Sequence, residues 1–173
     1  KRQVDKRTNG YKRRIESMQR KIDVAVNLIK NNLNQGIEAD YVLMDSWFTH
    51  EPLLKSCLDK GIDVIGMVKQ MKQKYSFEGK QYDLKALRNL LPKCRNGNII
   101  GSMIVSTKNN ILVKLVYVKN RNKKRSWLVI LSTDCSLSNE EIIRIYGNRW
   151  SIEVFFKSAK SLLKLGSEFQ GRS

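Results

Sequence analysis

One acid inside a basic stretch is the part of this sequence whose residue types most clearly suggest chemistry. The stretch YGNRWSIEVFFKSAK, residues 146–160, contains a single carboxylate, that of Glu153. On a helix with about 100° per residue, a group of side chains shares an arc of roughly 80°: Tyr146, Arg149, Glu153, Lys157 and Lys160. Glu153 could form an ordinary i,i+4 ion pair with Lys157, which stabilises a helix by about 0.3 kcal/mol. Alternatively, the carboxylate and its neighbouring cations have a chemical role.

Asp45 is the second candidate acid. It ends the apolar run YVLMD, which is followed by SWFTHEPLLKSCLDKG and IDVIGMVK. This order predicts a strand, a helix and a strand, with Thr49 capping the helix, Pro52 in its first turn and Gly61 at its end. Two strands joined by a helix favour a parallel pair, and ligands bind at the carboxyl ends of such strands. Asp45 is therefore predicted at a ligand-binding edge.

Asp45 and Glu153 together indicate a more specific chemistry than either acid alone. Carboxylates from two elements can converge over a sheet edge and hold a divalent metal such as Mg²⁺ through hard oxygen ligands. Metal ions held in this way stabilise the attacking and leaving oxygens of a phosphoryl displacement, and nearby cations suit DNA phosphates. The pair therefore predicts phosphoryl transfer on a nucleic acid.

The composition also favours a nucleic-acid partner. With 33 Lys and Arg against 16 Asp and Glu, the 173-residue chain has a net charge of +17 and a pI near 10.0. A generally solvated basic protein is the alternative interpretation of this charge. The hydrophobic fraction of 41% indicates a globular core. No apolar run approaches the roughly 20 residues of a spanning helix and no signal peptide is recognisable, so we expect no membrane partner and a cytosolic or DNA-associated protein.

The cysteines do not indicate a second kind of site. Cys57, Cys94 and Cys135 lie far apart, and His50 is the single histidine of the chain, so no pair has the spacing of zinc ligands. No Cys–His spacing supports a thiol nucleophile either. We expect reduced thiols, and we expect His50 at the surface where a helix begins.

The remaining segments predict an α/β core with a β-rich insertion. Apolar residues at spacings of three and four predict one long amphipathic helix that ends at Gly36: Ile15, Met18, Ile22, Val26, Ile29 and Leu33. The stretch KYSFEGKQYDL predicts a hairpin that turns at Glu78-Gly79, and residues 99–134 predict a three-stranded antiparallel meander.

The last predicted element is a helix from the capping box of Ser138 and Glu141 to about Leu165. Gly147 weakens such a helix by about 1 kcal/mol and marks either a bend or the true start. Beside the polar arc, an apolar face is expected to pack on the core: Ile152, Phe155, Phe156, Ala159, Leu162 and Leu163.

At this point the residues carry a family resemblance. Tyr146, Arg149, Glu153 and Lys160 reproduce a Y-(2)-R-(3)-E-(6)-K signature, and the chain resembles the insertion-sequence-four family of DDE transposases. The letters RW and IE, the segment VLMDSWF and the closing EFQGRS are also similar to that family. The resemblance implies a ribonuclease-H-like α/β fold with a β-rich subdomain inserted between the second catalytic acid, Asp45, and the third, Glu153.

The resemblance also implies a domain organisation. Residues 1–68 correspond to part of the catalytic core, residues 69–133 to the β-rich insertion and residues 134–173 to the C-terminal core helix. In the family, the first catalytic Asp ends a strand upstream of the long helix, and neither Asp5 in its basic run nor Asp23 in the helix is a substitute. The chain therefore resembles the C-terminal part of a catalytic domain whose first strands are missing, and we expect it to be nearly inactive alone.

Partners and cofactor follow from the same resemblance. It implies Mg²⁺ or Mn²⁺ at Asp45 and Glu153, DNA of transposon ends and target as partner, a homodimer in the synaptic complex, and a cytoplasmic, nucleoid-associated location. Contacts to transposon-end DNA are implied for Tyr146, Arg149, Lys157 and Lys160. Trp127 resembles the tryptophan that stacks on a flipped base, although a core tryptophan of a β-strand is the alternative.

Two other functions remain open. One is a non-catalytic basic DNA-binding module derived from a transposase, which binds DNA independently of Mg²⁺ and of Asp45. The other is a metal-dependent nuclease with a similar core that hydrolyses DNA without joining strands.

Overall fold

A computed structural model of the chain describes residues 5–71, 73–92, 97–123 and 125–162. In chain order, the helices are α1 Asn9–Ser17, α2 Lys21–Asn34, α3 Glu51–Leu58, α4 Leu84–Leu90, α5 Asn139–Gly147 and α6 Arg149–Leu162. The strands are β1 Tyr41–Met44, β2 Asp63–Val68, β3 Tyr75–Phe77, β4 Lys80–Tyr82, β5 Ile99–Ser106, β6 Leu112–Lys119 and β7 Trp127–Ser132. None of the helices in these ranges is both long and apolar enough to cross a membrane.

All the described strands belong to one seven-stranded sheet in the order β1-β2-β7-β6-β5-β3-β4. Strands β1 and β2 are parallel, and the other neighbours are antiparallel. This mixed sheet confirms the predicted α/β class. Because β7 pairs directly with β2, the predicted insertion and the predicted core share a sheet. The boundaries at residues 68 and 133 stay predictions.

The strand, helix and strand around Asp45 are confirmed, with one correction. Pro52 lies in the first turn of α3, and β1 and β2 form the expected parallel pair. The residue that caps α3 is His50, not Thr49, and it does so without a side-chain hydrogen bond. Thr49 is buried, and its hydroxyl donates to the carbonyl of Asp45 at 2.7 Å. Thr49 therefore fixes the loop after β1 instead of the helix.

The hairpin and the meander are also confirmed. Glu78 and Gly79 have φ angles of 48° and 75° and join β3 to β4 as a two-residue turn. Two successive positive φ angles are what a tight type I′ hairpin requires. Strands β5, β6 and β7 form the antiparallel meander.

The prediction of one long N-terminal helix is wrong. Helix α1 ends at Ser17, and Arg20 adopts an extended conformation (φ −66°, ψ 137°) before α2 begins. The Arg20 guanidinium binds Asp23 in the first turn of α2 at 2.9 Å. Met18, which the periodicity assigned to the apolar face, falls in the break and is exposed.

Both faces of the sheet are packed. The larger cluster includes Leu54 of α3, Leu87 of α4 and Leu115 of β6, and apolar residues of α2 pack against it. The smaller cluster lies on strand residues such as Ile65 and includes Ile142 of α5. Cys57 belongs to the larger cluster as a free thiol, Cys135 is also a free thiol, and Cys94 lies outside the described residues.

The C-terminal helix is broken into two. Ser138 and Glu141 form the predicted capping box of α5, but α5 ends at Gly147 and α6 begins at Arg149. The expected packing of the apolar face of α6 is wrong for most of its residues. Ala159 is buried, whereas Ile152, Phe155, Phe156 and Leu162 are exposed; Leu163 and Leu165 lie outside the described residues. Helix α5 packs on β2 and β7, whereas most of the apolar side chains of α6 are exposed.

Candidate functional site

Asp45 directly follows β1, as predicted, and its position is fixed by local hydrogen bonds. Its Oδ1 atom accepts the backbone N–H groups of Trp47 at 2.9 Å and Phe48 at 3.3 Å. Its carbonyl accepts the Thr49 hydroxyl. The side chain is half-buried. The loop therefore holds this carboxylate in a defined place while leaving it accessible.

Strand β2 packs closely against the loop after β1 at a glycine. A Cβ atom added at Gly66 would lie 2.4 Å from Thr49 Oγ1, far inside van der Waals contact. Only a residue without a side chain allows β2 to approach Thr49 so closely. Gly66, Thr49 and Asp45 therefore form a continuous connection from the sheet to the acid.

A tryptophan and a lysine accompany Asp45 at the same sheet edge. Because β1 and β2 are parallel, the residues that follow them, Asp45 and Lys69, both lie at the carboxyl end of these strands. Lys69 Nζ lies 5.2 Å from the ring centroid of Trp47, which is 71% exposed. Sequence reasoning missed both residues. The signal was an aromatic residue two positions after the acid and a cation directly after the next parallel strand.

Tyr146 is the residue whose pKa both candidate acids influence. Its ring belongs to the smaller cluster, together with Leu43 two residues before Asp45. Burial raises the pKa of Tyr146, and the negative charges of Asp45 and Glu153 raise it further, while the Arg149 guanidinium acts in the opposite direction. The hydroxyl is buried and has no hydrogen-bond partner with good geometry among the described residues. Tyr146 is therefore close enough to both carboxylates for their charges to act on it.

Glu153 lies on α6 and is paired with Arg149. Arg149 Nη2 lies 2.9 Å from Glu153 Oε1, and their side chains are 27% and 46% exposed. The Arg149 guanidinium also lies near the Tyr146 ring, with its Cζ 5.7 Å from the ring centroid. The partner of Glu153 in the structure is thus Arg149 and not Lys157.

The predicted basic arc is preserved on α6 but does not include Tyr146 in the same helix. Arg149, Glu153, Lys157 and Lys160 lie on α6 at spacings of three and four, whereas Tyr146 belongs to α5. Lys157 and Lys160 are exposed. Although Tyr146 and Arg149 belong to different helices, the Arg149 guanidinium lies over the Tyr146 ring.

The donor chemistry of the pair fits Mg²⁺ or Mn²⁺ in part. Both candidate ligands, Asp45 and Glu153, offer carboxylate oxygens, and a protein commonly binds Mg²⁺ through one or two carboxylates with waters and phosphates completing the shell. The described residues contain no group of three or more His, Cys, Asp and Glu residues that could hold a metal. Asp5 and Asp23 are paired instead with Arg7 and Arg20.

Trp127 lies at the start of β7, beside the carboxyl end of β2. It is partly buried and packs against the larger core cluster. Its ring centroid is 5.5 Å from that of Tyr117, and Arg88 Cζ lies 5.4 Å from it. These contacts favour the alternative of a packed strand tryptophan, and base stacking by Trp127 stays a prediction.

Comparisons with known proteins identify a family and a structural neighbour. A family profile described as a transposase DDE domain matches residues 19–168. No curated protein matches the chain. Among solved structures, the chain is similar to a piggyBac transposase in a synaptic complex with hairpin DNA, with a TM-score of 0.47 and 17% sequence identity. That similarity covers 83% of this chain and 29% of the transposase chain.

Proposed function

Because this chain belongs to the transposase DDE domain family, we propose that it forms part of the catalytic core of a DNA transposase of the insertion-sequence-four type. The observation that supports an active site here is that the charges of both Asp45 and Glu153 raise the pKa of Tyr146, over whose ring the Arg149 partner of Glu153 also lies. The proposed partners are the transposon ends and target DNA, bound by two copies of the chain at the nucleoid. DNA cleavage and strand transfer are the proposed reactions.

Asp45 and Glu153 are the proposed ligands of Mg²⁺ or Mn²⁺. When bound, such an ion supplies Lewis-acid stabilisation of the oxygens that attack and leave the phosphorus. The loop after β1 keeps the Asp45 carboxylate in place through the amides of Trp47 and Phe48. Arg149 holds the Glu153 side chain and offsets its charge, which lowers the cost of bringing two carboxylates together.

The cations of α6 are the proposed DNA contacts. Arg149 presents a planar set of donors that suits phosphate oxygens, and Lys157 and Lys160 are exposed point charges on the same helix. The Tyr146 hydroxyl, which is buried and has no hydrogen-bond partner among the described residues, is a further candidate donor to a phosphate. We expect the family's first catalytic acid to be required for cleavage in addition to Asp45 and Glu153, as the family resemblance implies, so this chain binds DNA and metal but cleaves little.

DNA binding with and without a divalent metal tests this proposal. Affinity for a labelled duplex is measured in Mg²⁺ and in EDTA for the native chain, Asp45→Ala and Glu153→Ala. We expect Mg²⁺ to strengthen binding by the native chain only. A basic module without catalytic function would instead bind in a salt-sensitive manner, with no effect of Mg²⁺ or of Asp45→Ala.

A nicking assay on duplex DNA with Mg²⁺ tests whether cleavage requires the family's first catalytic acid. We expect little cleavage by this chain and restored cleavage when a preceding core segment that contains the family's first catalytic acid is supplied. Efficient cleavage by this chain alone that Glu153→Ala abolishes would contradict that expectation. Strand joining by the restored protein separates a transposase from a nuclease that only hydrolyses DNA.

A further inference from the structure

We propose that a cavity between helix α3 and the predicted β-rich insertion binds phosphate groups of the DNA backbone, with Lys74 and Lys108 supplying the positive charge. The proposal rests on DNA being the partner, as in the proposed function, and it adds a second contact surface to the one on α6. The cavity is open and has a volume of about 620 Å³, within the range of ligand sites. Its lining comes from the start of α3, the residues before β3, strand β4 and the turn between β5 and β6.

Two lysines line this cavity without a carboxylate partner. Lys74 directly precedes β3, Lys108 lies in the turn between β5 and β6, and both residues are exposed. None of the ion pairs in the described parts of the chain involves either lysine. Gln73 and Gln81 add amide groups that can donate hydrogen bonds to an anion. The cavity therefore combines two unpaired ammonium groups with neutral donors, which suits phosphate oxygens.

Glu51 is the acid in the lining of the cavity, and its carboxylate is already hydrogen-bonded. Its Oε1 atom accepts the hydroxyl of Thr107 and, at 2.7 Å, the backbone N–H of Asn109. Both donors are neutral, so these bonds satisfy the carboxylate without using the charge of a lysine. With two lysines against one carboxylate, the lining keeps a net positive charge.

The same hydrogen bonds fix the turn that carries Lys108. Thr107 is buried, its hydroxyl also accepts the backbone N–H of Ile111 at 3.2 Å, and its own backbone N–H donates to the Ile111 carbonyl at 2.9 Å. Because Glu51 begins α3, the turn is also held to that helix. A site whose backbone is fixed in advance loses little conformational entropy on binding. The backbone position of Lys108 is therefore defined before any ligand binds.

The cavity adjoins the one that contains Asp45. Surface lysines are common on a chain with a net charge of +17, so exposure alone would not make these two lysines binding residues. His50, however, lines both this cavity and the cavity of Asp45. A DNA backbone that lies at Asp45 can therefore continue over His50 to Lys74 and Lys108, which bind phosphates as point charges.

The salt dependence of duplex binding tests the two lysines. Fluorescence anisotropy of a labelled duplex is measured over a salt series in EDTA, so that the result does not depend on a divalent metal. Lys74→Gln and Lys108→Gln are each expected to reduce the slope of log K against log salt by about 0.9, the effect of one phosphate contact. Lys80→Gln is the matched control, because Lys80 is an exposed residue next to Gln81 on β4 but does not line the cavity. We expect it to leave the slope unchanged.

A substitution of the acid should have the opposite sign. Glu51→Gln removes the negative charge of the cavity and keeps an oxygen that can accept the hydrogen bonds of the turn. We expect it to strengthen duplex binding at least about twofold. Asp59→Asn, at the far end of α3, also removes one negative charge but lies outside the cavity, and we expect a smaller effect. Thermal unfolding of every variant checks that the fold is retained.

Inorganic triphosphate, measured by isothermal titration calorimetry, separates DNA from a free phosphate compound. If Lys74→Gln and Lys108→Gln weaken binding of triphosphate but leave the slope for the duplex unchanged, DNA is not the ligand of this cavity. No effect on either probe, while the native chain binds DNA, would overturn the cavity as a phosphate site. Absence of DNA binding by the native chain would overturn the proposed function as well. Reduced slopes together with a failure of Mg²⁺ dependence would contradict the proposed metal site and support the cavity.

Discussion

Asp45 and Glu153 lie in regions of very different packing. The Asp45 carboxylate accepts two backbone amides, and its loop is held to the sheet through buried Thr49. Glu153 is paired with Arg149 on a helix whose apolar side chains are mostly exposed. One acid is thus positioned by the fold before any ligand binds. The other lies on an element that the described core supports weakly.

This difference suggests how the site assembles. A carboxylate held by several hydrogen bonds keeps its position, whereas a partly exposed i,i+4 ion pair contributes only about 0.3 kcal/mol. We expect Asp45 to define where a metal binds, and Glu153 to reach its final position when metal or DNA binds. Substitutions in the two regions should therefore have unequal effects on stability.

The largest expected difference is in the free energy of unfolding, between side-chain truncations in α3, near Asp45, and in α6, which carries Glu153. Leu54 of α3 is 0% exposed in the larger core cluster, and Phe155 of α6 is 67% exposed. We expect Leu54→Ala to lower the free energy of unfolding by about 2–5 kcal/mol and Phe155→Ala to change it by less than about 0.5 kcal/mol. Urea unfolding measures both. A loss for Phe155→Ala comparable to that for Leu54→Ala would mean that α6 is packed in solution.

The next contrast uses one substitution at two glycines. Gly66→Ala places a methyl group against Thr49, so we expect a loss of about 1–3 kcal/mol in the free energy of unfolding. Gly147→Ala meets no atom within 4 Å and lies in a helix, so we expect a gain of up to about 1 kcal/mol. Thermal and urea unfolding of the two variants measure whether the free energy of unfolding falls for Gly66→Ala and rises for Gly147→Ala. A neutral Gly66→Ala variant would show that the loop is not held tightly to β2.

Sequence reasoning described the packed region well and the exposed one poorly. The strand before Asp45, the crossover to β2 and the turn at Glu78-Gly79 follow from apolar runs and turn residues, which are local signals. The break after Gly147 was recognised only as a possible bend. The periodicity of Ile152 to Leu162 identified an apolar face, but periodicity does not say what covers such a face. Trp47 was missed because its exposure depends on how the loop after β1 folds, which no local pattern in the sequence indicates.

The pKa of Tyr146 reports whether the two regions meet. Because the charge of Asp45 contributes to raising this pKa above its usual value of 10.0, Asp45→Asn is expected to lower it. Glu153→Gln is expected to lower it for the same reason. The titration is followed by carbon NMR of labelled tyrosines, with the Tyr146 signal identified from Tyr146→Phe. Asp59→Asn, at the far end of α3, is the control and should leave this pKa unchanged.

The smallest expected effect concerns the cations of α6. Lys160→Gln is expected to reduce the slope of log K against log salt for duplex binding by about 0.9, the effect of one phosphate contact. Lys80→Gln, on the strand at the opposite edge of the sheet from β1, should leave the slope unchanged. Fluorescence anisotropy over a salt series provides both slopes. If the native chain, Lys160→Gln and Lys80→Gln all give the same slope, Lys160 does not contact DNA.

Mn²⁺ binding by a double-substitution cycle tests the central claim most directly, namely that Asp45 and Glu153 hold one ion together. Free Mn²⁺ is measured by electron paramagnetic resonance for the native chain, Asp45→Asn, Glu153→Gln and the double variant. We expect each single substitution to weaken binding at least about tenfold, and the double variant to lose much less than the sum of the two effects. Native affinity in either single variant, or two losses that simply add, would contradict a shared metal site.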